Sequence, residues 1–351
     1  MPVIRCEENP VVRTQDVPPS RPGFRVLGAF NAGVAVCGDE TILLLRVAEA
    51  PVPDREEDVL IPLLSESGGD VSVIRLMAAD ARYDFSDARV VSENGRIAML
   101  TSLSHLRVAR SRDGVRFAVD REPALFPQLP SEAWGIEDPR ITQIGDRYYV
   151  TYSSVSPRGV AVGLAETTDF RTFTRLGLML PPENKDVMLF PERIDGKYYA
   201  LHRPVPKSFG APEMWIAESP DLAHWGNHRF LMGLSEQAWD SARMGGGAVP
   251  IRTERGWLVL YHGADASHRY CMGAALLDLA EPSRVIARSA RPFLEPEADY
   301  ERNGFFGGVV FSCGAIRIGD TIRMYYGAAD EVMAMADIPL QDIYDTLADE
   351  T

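Results

Sequence analysis

The chain has no apolar run approaching the roughly 18 to 20 residues of a membrane helix. Its opening, Met1-Pro2-Val3-Ile4-Arg5-Cys6-Glu7-Glu8, lacks the apolar core of a secretory signal. Cysteine is scarce: Cys6, Cys37, Cys271 and Cys313 lie too far apart for a disulfide framework, and none forms a CxxC pair. Reduced structural thiols are expected, in a cytoplasmic protein without a metal site. Positive charge is in deficit, with 36 Lys and Arg against 50 Asp and Glu and a net charge of -14. That balance argues against a nucleic-acid or anionic-membrane surface, yet leaves room for a small basic pocket. Gly and Pro are scattered, which excludes a collagen-like or disordered chain. Several catalytic signatures are also missing. There is no HExxH or HxH metal pairing and no GxSxG nucleophile elbow, and Gly245-Gly246-Gly247 lacks the Lys-Ser/Thr ending of a phosphate loop.

What is present is an ordinary globular composition, 46% hydrophobic and 25% charged over 351 residues, enough for a large core. A phrase recurs along it: an apolar strand, a turn with Gly or Asn-Gly, then a strand rich in Tyr and aliphatic residues. Copies fall at 33–46, 88–100, 139–152, 191–201, 249–261 and 315–326, with turns about 50 to 63 residues apart. Between them, 106–114, 160–173 and 215–221 read as third strands, each followed by a fourth beginning near Phe117, Phe173 or Trp225. Only 338–347 has a helical period, and 51–70, rich in Pro, Glu, Asp and Ser, reads as a surface loop. The expectation is one all-β propeller spanning 1–351 with a short C-terminal helix. Six hairpins can be counted, or five blades if the incomplete first and last share the closing one. Closure by the two chain ends would remove exposed sheet edges.

A propeller gathers strand starts around a central pocket, so unusual residues there carry weight. Glu137 and Asp138, in Trp134-Gly135-Ile136-Glu137-Asp138-Pro139-Arg140, are adjacent carboxylates entering a strand. Alternation sends them in different directions, one toward the channel and the other bracing the loop or pairing with Arg140. A plain Asp-Pro turn fits the spacing equally well. Lys185, Arg203 and Arg243 recur around the ring and would form an oxyanion site if they converged. Each taken singly is as readily a surface ion pair. Asn31, Arg46, His105 and His262 are candidates for lining a sugar pocket, or for satisfying backbone groups.

Several ordered motifs resemble glycoside hydrolase family 130. They are Gly-Ile-Glu-Asp-Pro-Arg-Ile-Thr at 135–142, Asn-Lys-Asp-Val-Met-Leu-Phe-Pro-Glu-Arg at 184–193, His-Arg-Pro at 202–204, Trp-Leu-Val-Leu-Tyr-His-Gly at 257–263, Gly-Ala-Ala-Leu-Leu-Asp at 273–278 and Tyr-Tyr-Gly-Ala-Ala-Asp at 325–330. The resemblance implies a five-bladed β-propeller and an inverting β-mannoside phosphorylase. It implies Asp138 as proton donor, acting through the mannosyl 3-hydroxyl, and Lys185, Arg203 and Arg243 as the phosphate cations. An Arg is commoner at the first of these positions and a Lys at the third, so the two are exchanged here with charge kept. Tyr270 and Asp330 match positions that contact phosphate or the mannosyl unit. Inorganic phosphate is then a co-substrate beside a β-mannoside oligosaccharide, no cofactor is implied, and homo-oligomers are common. The N-terminal phrases at 9–12, 28–33 and 43–49 look most like β-1,2-mannobiose and β-1,2-oligomannan phosphorylases.

The chemistry separates two enzyme classes. An inverting hydrolase needs an acid and a second carboxylate that activates water. Phosphate is already an anionic nucleophile, so a phosphorylase needs one acid and a cationic cradle. Three retained cations favour phosphorolysis. The rivals are a β-mannosidase with Glu192 as base, a phosphorylase of β-1,4-linked mannosyl-glucose or mannosyl-N-acetylglucosamine, and a carbohydrate-binding propeller without turnover. For Glu192 a structural strand-end carboxylate is preferred.

Overall fold

A computed structural model describes residues 3–65, 68–236 and 238–349. Strands dominate, and the α-helices among the described residues are Asp299–Arg302 and Leu340–Tyr344. The apolar run Ile42-Leu43-Leu44-Leu45 shows why. In the strand Glu40–Pro51, Leu43, Leu45 and Val47 enter one core cluster while Ile42 and Leu44 enter another. A strand covered on both faces has no polar side to alternate with, so its sequence is continuously apolar. Gly256–Ala264 repeats the pattern: Leu258 and Leu260 face one cluster, Trp257, Val259 and Tyr261 the next.

The long ladders run in chain order. An eight-stranded sheet has two antiparallel halves, joined by one parallel bridge between Gly135 and Ser104. The first half holds Phe24–Cys37, Glu40–Pro51, Leu103–Ser111 and Ala118–Val119, and the second Gly135–Ile144 through Thr174–Leu180. A four-stranded sheet follows, Asn184–Leu189 to Gly226–Met232, then a six-stranded one built on Gly256–Ala264 and Tyr270–Leu277. The last comprises Val310–Ile318, Thr321–Ala328 and Val332–Pro339, with Ile4–Arg5 on its edge. Five large apolar clusters each join neighbours in this series, and the one holding Ala29, Leu43, Tyr325 and Met333 joins the last sheet to the first half-sheet.

The first and last strands do not share one closing blade, because they join different sheets. Ile4 pairs with Asp337, whereas Leu347 pairs with Ser289. Four of the six hairpin copies lie in the large sheets, and the copy at 191–201 does so with its second limb alone, since Ile194 meets Lys197 in an isolated bridge. The copy at 88–100 does not: Val90–Glu93 and Arg96–Leu100 form a two-stranded sheet of their own, with Ser92 also bridged to Asp84. Its turn chemistry is that of a sheet hairpin, but its strands are short and only Val91 in them is fully buried. The segment 51–70 is likewise not simply a loop, because Asp58–Leu64 pairs with Val71–Met77. The Val59-Leu60-Ile61 run supplies strand-forming side chains inside an otherwise acidic stretch. The helical period at 338–347 shortens to Leu340–Tyr344, since Ile338 still belongs to a strand and Leu347 begins another.

Candidate functional site

Four strands that begin large ladders share a device. Pairing slips between Phe30 and Gly33, Glu137 and Arg140, Lys185 and Met188, and Phe311 and Gly314. Within three of these slips stands a left-handed residue: Asn31 (φ 49°), Asp138 (φ 49°) and Asp186 (φ 56°). A β-bulge breaks the alternation of side chains and re-aims one of them, and Asn and Asp tolerate the left-handed region best. The same device therefore delivers three polar side chains to adjoining positions.

Asn31 Nδ2 donates to Asp138 Oδ1 at 3.0 Å. Arg46, opposite Phe30 in the ladder, donates from Nη1 to Asp138 Oδ1 (3.1 Å) and from Nη2 to Glu137 Oε1 (2.8 Å). Its Nε reaches Ser104 Oγ at 3.2 Å, and its guanidinium stands 4.8 Å from the Phe30 ring centre. Glu137 and Asp138 thus share one arginine instead of diverging, because the bulge cancels the alternation between them. Arg140 pairs with neither carboxylate. It is buried and donates to the Asp138 carbonyl (2.9 Å), the Gly247 carbonyl (3.0 Å) and Asp186 Oδ1 (3.3 Å), as well as to the Gly246 carbonyl. One side chain so ties three sheets together.

The cations converge in part. Lys185 Nζ lies 3.9 Å from Asp138 Oδ2, and Lys185 stands opposite Arg203 in the ladder. Arg203 is buried, with Nη2 3.2 Å from Asp186 Oδ2. Arg243 Nη1 donates to the Tyr270 hydroxyl at 3.0 Å. A cavity of about 230 Å³ is lined by Asn31, Arg46, Asp138, Lys185, Arg243, Tyr270 and Asp330. Arg89, His268, Phe306, Val309 and Phe311 complete its wall. Arg203 stands behind Lys185, outside that lining. Arg203 Nε and Arg243 Nε are buried donors with no protein acceptor among the described residues.

Two expected pocket histidines lie elsewhere. His105 is buried beside Glu49 (3.9 Å), Arg107 (3.2 Å) and the Phe126 ring, and burial holds it well below the usual histidine range. Its strand neighbour Ser104 is the one that meets Arg46. His262 is packed against Phe311 with Nε2 3.6 Å from Asp186, and burial lowers it to about 3, so it stays neutral. Glu192 forms an exposed ion pair with Arg252, away from the cavity, which removes the water-activating role considered for it.

The two carboxylates in the cavity are shifted in opposite directions. Burial alone would raise Asp138, but Arg46, then Lys185 and the Asn31 amide, outweigh it and hold the carboxyl below its usual range. Asp330, with φ 52° in the turn after Thr321–Ala328, is raised to about 6. Burial is the main cause, and the negative charges of Asp138 and Glu137 add to it against Arg46 and Arg89. Asp186 is held low by Arg203, Lys185 and Arg140 despite complete burial. Among the described residues no cluster of three His, Cys, Asp or Glu side chains could hold a metal ion, and no helix is long and apolar enough to cross a membrane.

Sequence reasoning did not single out Asp186 or Arg89, and considered Arg140 only as a partner for one of the two adjacent carboxylates. Asp186 adjoins Lys185 in the quoted motif, and the missing signal was the bulge. The Gly run offers a second clue: a Cβ on Gly245 would come within 2.5 Å of Asp186 Oδ2, and one on Gly246 within 2.6 Å of the Asp186 carbonyl. These glycines admit a buried carboxylate, not a phosphate loop.

A family model for glycoside hydrolase family 130, described as beta-1,4-mannooligosaccharide phosphorylase, matches residues 88–349. The chain belongs to glycoside hydrolase family 130. Within it, a beta-1,2-mannobiose phosphorylase from Listeria innocua is 51% identical over 346 residues, covering 98% of each chain. The solved structure of the Listeria innocua beta-1,2-mannobiose phosphorylase in complex with beta-1,2-mannobiose covers 99% of both chains with a TM-score of 0.96. A 1,2-beta-oligomannan phosphorylase from Thermoanaerobacter is 41% identical, covering 69% of this chain and 80% of its own. A beta-1,4-mannooligosaccharide phosphorylase from Ruminococcus albus is 36% identical, covering 68% and 75%.

Proposed function

We propose that this family 130 protein phosphorolyses β-1,2-linked mannosides, releasing α-mannose 1-phosphate and a shortened sugar. The observation that carries this is a full-length identity of 51% to a β-1,2-mannobiose phosphorylase, joined to a cavity that sets one buried aspartate against cations. The β-1,4 wording of the family description is outweighed by that identity, since the β-1,4 relative reaches 36% over two thirds of the chain. The cyclic order of apolar clusters supports a five-bladed propeller, with the eight-stranded sheet counted as two blades and the inserted hairpins as none.

In this mechanism phosphate lies against Lys185, Arg203, Arg243 and the Tyr270 hydroxyl. Buried guanidinium donors without a protein acceptor are the groups an anion would satisfy. Phosphate oxygen attacks the anomeric carbon as the bond to the leaving sugar breaks on the opposite face, inverting the configuration. Asp138 supplies the leaving oxygen's proton through the mannosyl 3-hydroxyl. Asn31 and Arg46 hold that carboxyl in place, and Asp330 contacts the mannosyl unit.

Arg46, Lys185 and the Asn31 amide keep Asp138 ionised, so its proton must be acquired in the complex. Bound phosphate supplies negative charge beside Lys185, offsets the cation that lowers Asp138, and raises its proton affinity. The nucleophile thereby helps to arm the acid. Hydrolysis loses the base considered for it, because Glu192 lies on the surface in an ion pair with Arg252.

The test incubates the protein with β-1,2- and β-1,4-mannobiose, each with and without phosphate, and assays mannose 1-phosphate and free mannose. Phosphate-dependent mannose 1-phosphate from the β-1,2 disaccharide is expected. Release from the β-1,4 disaccharide alone would overturn the linkage, and phosphate-independent mannose would overturn the reaction class.

A further inference from the structure

The hairpin that stands apart from the large sheets, Val90–Glu93 with Arg96–Leu100, is preceded by Asp87-Ala88-Arg89, and Arg89 lines the cavity. Asp87 holds its guanidinium as a fork: Nε donates to Oδ1 at 3.0 Å and Nη2 to Oδ2 at 2.8 Å. One guanidinium face lies 4.5 Å from the Phe306 ring centre. Phe306 is itself fixed, because its backbone N–H donates to the Ala329 carbonyl at 2.8 Å, next to Asp330. Two elements outside the main ladders, the hairpin approach and the 303–308 loop, thus lock one arginine at the cavity wall.

Three features say what this arginine binds. Its side chain is 45% exposed whereas that of Asp138 is 4% exposed, so Arg89 stands toward the mouth and the acid at the floor. The mannosyl unit being transferred must reach the floor, which leaves the departing sugar beside Arg89. Asp87 also gives it a carboxylate partner, unlike Arg243, whose partner is a neutral phenol. A guanidinium already paired with a carboxylate is a weaker additional phosphate ligand but still donates to an uncharged hydroxyl. The fork occupies Nε and Nη2 and leaves Nη1 without a protein acceptor among the described residues.

We infer that Arg89, held by Asp87 and Phe306, binds a hydroxyl of the leaving sugar and sets the enzyme's requirement for it. This rests on the phosphorylase reading above and names a specificity residue for that reaction. The reverse reaction separates the two sugar sites, because α-mannose 1-phosphate and the acceptor mannose are then added independently. With Arg89→Ala the KM for acceptor mannose should rise at least tenfold while the KM for mannose 1-phosphate stays within twofold. Arg89→Lys should also raise the acceptor KM, since an ammonium keeps the charge and loses the fork. Phe306→Ala should shift the acceptor KM in the same direction by less. A rise confined to mannose 1-phosphate, an equal rise in both, or no change in either would overturn the assignment. A wild-type protein that forms no disaccharide from these substrates would instead bring down the phosphorylase reading, and the Arg89 assignment with it. Thermal melting of each variant separates loss of binding from loss of fold.

Discussion

The cavity floor and the cavity mouth are built differently. At the floor, Asn31, Asp138 and Lys185 stand at bulges of strands whose both faces are packed, and Arg140 braces them through three carbonyls and a carboxylate. At the mouth, Arg89 and Phe306 ride on an isolated hairpin approach and a loop, fixed by one ion pair and one stacking contact. Chemistry that depends on tenths of an ångström sits where the backbone is over-determined. Partner recognition sits where sequence can vary without disturbing a ladder. The difference implies that floor substitutions act on turnover and mouth substitutions on which sugar is accepted.

The sharpest way to break that division is Asp138→Asn, which should lower phosphorolysis about 10²- to 10⁴-fold. Near-normal kcat would move the acid elsewhere. Next in size, Arg203→Ala should raise the phosphate KM about ten- to a hundredfold, the loss of one or two charge-assisted hydrogen bonds. The mannobiose KM should change far less, and equal shifts would place Arg203 outside the cradle. The pH profile tests whether phosphate arms the acid. The alkaline limb of kcat, read in the ternary complex, should lie at higher pH than that of kcat/KM for phosphate, read without it. Coincident limbs would show that Asp138 gains no proton affinity on binding.

A smaller effect concerns stability. Asp330 has its folded-state pKa raised to about 6 from an ordinary carboxylate value. Its protonated form favours the fold, and that contribution is complete below the unfolded pKa and lost as pH rises through about 6. Asp330→Asn should therefore raise the melting temperature at pH 8 by more than at pH 5. A pH-independent change would mean that the carboxyl is not destabilised by its surroundings. Smallest of all, Glu192→Gln should leave phosphate-dependent turnover within twofold, as befits an exposed ion pair. A large loss would reopen the hydrolytic alternative.

Much of the architecture was legible because hairpin signals are local. Gly145, Gly196 and Gly319 sit at turns with positive φ, each flanked by apolar strand residues that alternation or continuous burial explains. The hairpin at 88–100 carried the same local signal yet joined no large sheet, since strand partnership is a long-range property. In the site, Asp138, Lys185 and Arg243 stood out as charges in unusual surroundings. His105 and His262 stood out for the same reason, but burial among Glu49 and Arg107, or behind Asp186, keeps them off the cavity wall. Glu137 was expected to diverge from Asp138, and the bulge brings both to Arg46.

The amino-acid sequence by itself determined the strand-rich class, the spacing of its hairpins and the motifs that mark family 130. Those depend on residues close together in the chain. Tertiary structure alone decided that bulges turn Asn31, Asp138 and Asp186 to adjoining positions, that Gly245 and Gly246 make room for a buried carboxylate, and that an inserted segment brings Arg89 to the mouth. The reason is physical. A bulge, a close backbone approach and a pKa each depend on what the other strands place nearby, and no local stretch of sequence contains that information.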